Sequence, residues 1–232
     1  MNPVNTLTTA ITKELIEYLR VFVTEERFHK FQAVIASRTR HLTLALEDIY
    51  QSHNASAVLR SCECFGIQDV HIIENRNKYE INPDVALGSA KWLNLVKYNG
   101  VTDNTRACLS HLKEQGYRIV ATSPHKNDYT PDTLPLDCKT ALVFGTELAG
   151  LTPIALELAD DFIQIPMVGF TESLNISVSA AILIQSLTGR LRHSKIPWQL
   201  NDGEQSEILL NWLQNSIKRS DVLIRDYLKK HG

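Results

Sequence analysis

The sequence predicts an α/β fold, with a mostly parallel sheet covered by helices on both faces and helical extensions at both termini. Three observations carry this. Short apolar strand candidates alternate with helical stretches through the middle of the chain. Glycines stand where helices should stop, at Gly66 and Gly116. Both ends carry apolar residues at helical spacing.

In chain order, residues 8–22 and 24–36 read as helices, through Leu15, Ile16 and Leu19 and then Phe28, Phe31 and Ile35. Residues 41–46 read as a strand, because Leu42, Leu44 and Leu46 alternate with His41, Thr43 and Ala45. A helix over 54–65 ends at Gly66, and 70–73 is a buried strand. Residues 75–87 are polar and irregular, and 93–98 is a strand candidate. A helix over 102–115 ends at Gly116 and is followed by strands over 117–121 and 140–144. Residues 153–158 form a short helix with Pro153 in its first turn. A strand over 162–165 leads into a long helix over 176–191. Residues 194–204 read as a linker, and 205–230 as one amphipathic tail helix with Ile208, Leu209, Trp212, Leu213 and Ile217 on its apolar face. The expected domains are therefore a helical extension over 1–36, a central domain over 37–195 and a C-terminal extension over 196–232.

The bulk numbers exclude several classes. With 232 residues, 44% of them hydrophobic, the chain can bury one substantial core. A formal net charge of −2 argues against a globally basic nucleic-acid binder, so any such contact must come from local patches. No apolar run is long enough to span a bilayer. Lys13, Glu14, Glu17 and Arg20 interrupt the first segment, which does not read as a signal peptide. Cys62, Cys64, Cys108 and Cys138 lack zinc spacing and read as free buried thiols of a cytosolic protein, so no metal site is expected.

Three constellations can carry chemistry. In the first, Asn54 and Arg60 lie on a helix otherwise small and apolar around Ala57, Val58 and Leu59. Arg60 either turns to solvent or points into a cleft to meet an anion. In the second, Gly145 and Glu147 follow a strand directly, where parallel sheets bind ligands. The spacing is neither a dinucleotide fingerprint nor a P-loop. In the third, Gly169, Glu172, Ser173 and Asn175 crowd the start of the long helix. They can cap it, or can aim donors at something bound there.

Together the motifs Asn54-x-x-Ala57-x-x-Arg60, Phe144-Gly145-x-Glu147-x-x-Gly150-Leu151 and Ile165-Pro166-Met167 with Ser173-Leu174-Asn175-x-Ser177-Val178 resemble, in order, those of the SpoU/TrmH branch of the SPOUT RNA methyltransferases. The resemblance covers roughly residues 30–192. It implies methyl transfer from S-adenosyl-L-methionine to a ribose 2′-hydroxyl in RNA, a C-terminal trefoil knot and a homodimer with its site near the interface. It implies cofactor contacts at Thr122, Gly145, Ile165, Met167 and Leu174. Arg60 would activate the hydroxyl, as base or as electrostatic clamp, with Asn54, Glu147, Ser173 and Asn175 orienting the reacting groups.

Arg27, Lys30, Arg38 and Arg40 precede the first strand and are the expected RNA contacts. Arg190, Arg192 and Lys195, and then Lys218, Arg219, Arg225, Lys229 and Lys230, add further basic positions. The layout of short helical ends resembles the tRNA-type members and points to a D-loop guanosine of tRNA. Residue 172 departs from that branch, which often carries an amide there. Ribosomal RNA, or RNA binding without catalysis, are the alternatives. A serine hydrolase using Ser173 lacks the nucleophile elbow, and neither His53 nor His125 is placed by spacing to serve it.

Overall fold

The computed structural model describes residues 9–78, 88–123, 126, 128–147 and 149–231. The elements run α1 (Thr9–Arg20), α2 (Glu25–Ile35), β1 (Leu42–Glu47), α3 (Ser52–Phe65), β2 (Asp69–Ile73), a 3-10 turn (Ser89–Trp92) and β3 (Asn94–Tyr98). They continue with α4 (Asn104–Glu114), β4 (Arg118–Thr122), β5 (Thr140–Phe144), α5 (Pro153–Leu158), β6 (Asp161–Ile163), α6 (Ile176–Arg192), α7 (Asp202–Ser216) and α8 (Ser220–His231). Part of the segment read as irregular, 79–87, lies outside the described residues, as do residue 8 and His125.

The chain forms two compact units, residues 39–198 and residues 1–38 with 199–232. The first unit holds a six-stranded sheet in the order β3-β2-β1-β5-β4-β6. Every pairing is parallel, with Leu44 opposite both Val70 and Leu142. A parallel sheet must be covered on both faces, and the alternation along β1 sorts its residues accordingly. Leu42, Leu44 and Leu46 pack with Val58, Leu59 and Cys62 of α3 and with Leu183, Leu187 and Leu191 of α6. Ala45 faces the other way, toward Leu109 and Leu112 of α4 and Ala155 of α5. Gly66, with a φ of 82°, ends α3 in the left-handed conformation that glycine adopts without strain. The Thr39 hydroxyl donates to the Trp198 carbonyl at 2.6 Å, joining the two ends of this unit.

In the second unit Leu15, Ile16, Leu19, Phe28, Phe31 and Ile35 are buried with Ile208, Trp212 and Leu213. Phe31 meets Trp212 edge-on at 5.8 Å. The tail is two helices rather than one. Arg219 takes a φ of 59°, and the Ser220 hydroxyl donates to the Gln214 carbonyl, so the chain turns between α7 and α8. The expected linker is shorter than 194–204, because Asn201 and Glu204 form a reciprocal cap on α7. The thiols are all free, but only Cys62 and Cys108 are buried; Cys64 is exposed and Cys138 is intermediate.

Candidate active site

The site lies at the carboxyl edge of β4, β5 and β6, where a parallel sheet presents its loops. The chain leaves β5 at Phe144 and folds back on itself within six residues. The Thr146 N–H donates to the Gly150 carbonyl at 2.9 Å, and the reverse bond is 3.0 Å. Gly150 has a φ of 67°, which closes the turn. A Cβ on Gly145 would lie 2.2 Å from the Gly150 carbonyl carbon and oxygen, so only hydrogen fits there. The Thr122 hydroxyl donates to the Val143 carbonyl at 2.9 Å, fixing the end of β4 against β5. These ends enclose a cavity of about 400 Å³.

Thr122, Gly145, Ile165, Met167 and Leu174, the five expected cofactor contacts, all line this cavity, and Glu147 and Ser173 lie on its wall. Glu172, Leu156 and Ser179 line it too. Leu156 and Ser179 carry no motif signature.

A chain of side-chain bonds connects the three sequence motifs beside this cavity. Asn175 caps α6, and its Oδ1 accepts from the Ser177 N–H at 2.8 Å and the Ser177 hydroxyl at 2.6 Å. With Oδ1 so occupied, the amide nitrogen of Asn175 turns to the Oδ1 of Asn54, at 3.2 Å. The Nδ2 of Asn54 donates in turn to the Glu147 carboxylate. An ionised carboxylate only accepts, so each amide has one orientation. Asn54 is 3% exposed, and its helix α3 packs along α6. Ser177 has a place in the third motif, but its sequence context assigns it no role. Its position two residues after an Asn N-cap was the signal for one.

Arg60 is not part of this chain of bonds. Six residues on from Asn54, it sits about 120° around the helix. It is exposed, on the outward face of α3 with His53 and Cys64, and does not line the cavity.

The expected RNA-binding residues divide. Arg27 and Lys30 are exposed. Arg38 is 1% exposed, with its guanidinium 5.3 Å from the Trp212 ring, and so enclosed a side chain offers no face to a phosphate. Arg40 is half-buried and donates to the Asp69 carboxylate at 2.9 Å. Arg190 also has a structural task, donating to the carbonyls of Pro131 and Leu134, and Arg192 donates to that of Phe65.

Two buried acids support the same edge of the sheet. Glu47, 1% exposed at the end of β1, accepts from the Thr152 N–H at 2.8 Å, the Thr152 hydroxyl at 2.7 Å and the Thr105 hydroxyl. The Asp48 carboxylate accepts from the backbone N–H groups of Asn75, Arg76 and Asn77. Among the described residues no group of His, Cys, Asp and Glu is arranged to hold a metal, and no helix is long and apolar enough to cross a membrane.

Residues 41–185 match the model of the SpoU rRNA Methylase family. The chain belongs to this family. Among the relatives of this SpoU methylase is the tRNA (guanosine(18)-2'-O)-methyltransferase of Borreliella burgdorferi, 45% identical over 203 residues, 88% of this chain and 91% of that one. The crystal structure of the A. aeolicus TrmH/SpoU tRNA modifying enzyme superposes with a TM-score of 0.74 at 28% identity, covering 84% of this chain and 98% of that one. The SpoU methyltransferase AviRb from Streptomyces viridochromogenes, solved with AdoMet, shares the fold with a TM-score of 0.59 at 21% identity, over 69% of this chain and 64% of that one.

SpoU methylases use S-adenosylmethionine, and the residues present suit it. The cavity is of ligand size, and Gly145 keeps its wall free of a side chain. Ile163, Ile165, Leu174 and Leu183 supply apolar surface beside the hydroxyls of Thr122 and Ser173.

Proposed function

We propose that this chain methylates the ribose 2′-hydroxyl of the D-loop guanosine of tRNA, using S-adenosylmethionine. The observation that carries the reading is the Asn175–Asn54–Glu147 chain of bonds, which joins three separate motifs beside one ligand-sized cavity. The name of the Borreliella burgdorferi relative supports tRNA and guanosine.

The bound cofactor supplies an electrophilic methyl group on a sulfonium sulfur. The chain's own task is alignment. Holding the 2′-oxygen in line with that methyl is worth on the order of 7–11 kcal/mol in favourable cases. Asn54, Glu147 and Asn175 form a rigid shelf for this, and Ser173 offers a hydroxyl on the same wall. The Arg60 guanidinium is exposed and carries only N–H donors, with no atom that accepts a proton. It acts as clamp rather than base, holding the phosphate and the developing alkoxide. As the new oxygen–carbon bond forms and the methyl–sulfur bond breaks, its electron pair staying on sulfur, the proton leaves the 2′-oxygen for water.

Arg60 reaches the cavity of a second copy. Leu174, just before α6, and Val178 and Ile182 on it are 39%, 45% and 39% exposed at four-residue spacing, and α6 packs beside α3. A homodimer covering this stripe would bring Arg60 of one copy toward the other copy's site. The same reading carries a C-terminal trefoil knot, a cytoplasmic location and tRNA phosphate contacts by Arg27 and Lys30.

The test is to incubate the protein with labelled S-adenosylmethionine and unmodified tRNA or ribosomal RNA, then map 2′-O-methyl nucleotides by mass spectrometry. Label at the D-loop guanosine is expected. Label only in ribosomal RNA keeps the reaction and replaces the substrate. No label with the cofactor bound leaves a non-catalytic RNA binder.

A further inference from the structure

Phe170 is 108% exposed and Val168 is 105% exposed, on the loop between β6 and α6. Leaving a phenylalanine ring in water forgoes the favourable free energy of burying it. The ring is placed where substrate must arrive, because residues on both sides of it, Met167 and Glu172, line the cavity. Val178 and Ile182 lie four residues apart on α6 and suit a second copy, whereas Phe170 is on the loop that precedes the helix.

Resting on the reading above, we propose that Phe170 and Glu172 recognise the target guanine. The Phe170 ring stacks on the base, and the Glu172 carboxylate accepts its N1–H and N2 amino hydrogens. An enzyme that works on one nucleotide of a folded RNA needs that nucleotide unstacked, and aromatic side chains replace the lost stacking. Guanine presents two adjacent donors on its Watson–Crick edge, and an ionised carboxylate presents two adjacent acceptors. Adenine and uracil each offer an acceptor beside the donor on that edge, and a carboxylate repels it. Glu172 is exposed on the cavity wall two residues from Phe170, so its carboxylate is available to the edge of a base stacked there.

The experiment uses the full chain and tRNA transcripts carrying guanosine or inosine at the methylated position. Inosine keeps N1–H and lacks the N2 amino group. The wild-type chain is expected to methylate the guanosine transcript about tenfold better in kcat/KM, the scale of one lost hydrogen bond to a charged group. Glu172→Gln is expected to erase most of that preference. Phe170→Ala is expected to lower kcat/KM for tRNA by about 5- to 100-fold, the range of one base–aromatic stack, and Phe170→Trp to restore it. Calorimetry should find S-adenosylmethionine binding unchanged in Phe170→Ala. Equal use of guanosine and inosine by the wild type, or full activity of Phe170→Ala, overturns the proposal. So does dissociation of Phe170→Ala in light scattering, which would assign the ring to a second copy. No methylation of either transcript by the wild type overturns the parent reading, and this one with it.

Discussion

Asn54 and Asn175, 121 residues apart in the chain, bond amide to amide at 3.2 Å. One belongs to the first motif and the other caps α6, so the start of that helix is set by a residue on α3. Asn54 also holds Glu147. Glu147→Ala removes the anchor of this chain of bonds without emptying the cavity. We expect methyl transfer to fall by about 100-fold, the cost of a small misplacement of reacting groups. Calorimetric affinity for S-adenosylmethionine should stay within a few fold. Loss of cofactor binding would assign Glu147 to the cofactor instead.

Gly145→Ala tests the closed loop after β5. Its Cβ would meet the Gly150 carbonyl at 2.2 Å, backbone that cannot swing aside. We expect S-adenosylmethionine binding to drop below detection in calorimetry, with a thermal midpoint lowered by overpacking worth about 1–3 kcal/mol. Native cofactor affinity in this variant would mean that the loop is not the cofactor's seat.

Arg60 acts across a dimer in the proposed function, and mixed dimers examine that directly. Arg60→Ala alone and Gly145→Ala alone should each be inactive in methyl transfer. Mixing the two lets a heterodimer form one intact site, from Arg60 of one copy and the cavity of the other. Recovery of about a quarter of wild-type activity is the statistical expectation for random pairing. A mixture as inactive as its parents would place Arg60 in the site of its own chain.

Arg38 and Lys30 should separate stability from RNA binding. Arg38→Ala loses its desolvated contact with the Trp212 ring and should lower stability by about 2 kcal/mol in denaturant unfolding, leaving the salt dependence of tRNA binding unchanged. Arg27→Glu with Lys30→Glu should reduce the salt slope by about 1 for each phosphate no longer neutralised. An unchanged slope would remove these two residues from the RNA footprint.

Burial of His71 gives stability a pH dependence. Desolvation, with a smaller repulsion from His111, lowers its pKa from 6.5 to about 4. The ring therefore stays neutral in the folded chain while the unfolded chain takes up a proton below pH 6.5. Its share of stability is complete above pH 6.5 and is lost as pH falls toward 4, by about 3 kcal/mol at 1.36 kcal/mol per unit. Denaturant unfolding of wild type and His71→Gln should show the difference shrinking across that window. Parallel curves would locate the acid sensitivity elsewhere.

Much of the sheet was legible because its signals are local. Leu42, Leu44 and Leu46 sort to one face by pleat alone, and Gly66 and Gly116 end α3 and α4 by backbone conformation. The cavity's lining was legible at Gly145, which follows a strand end, and through the family resemblance at Thr122, Ile165, Met167 and Leu174. Side-chain destinations were less so. Arg38 and Arg40 read as a basic cluster, yet one lies beside Trp212 and the other pairs with Asp69. Both partners are distant in sequence, and no local pattern announces them. The turn at Arg219 was hidden for a related reason, since the apolar pattern of the tail runs on through it.

The Thr39–Trp198 bond brings the chain's entry to the sheet unit and its exit from it to a single place. A unit whose ends meet can be grafted as a cassette, because whatever is attached there imposes little strain on the strands within. The helical ends can then be lengthened, exchanged or recharged while the cavity keeps its shape.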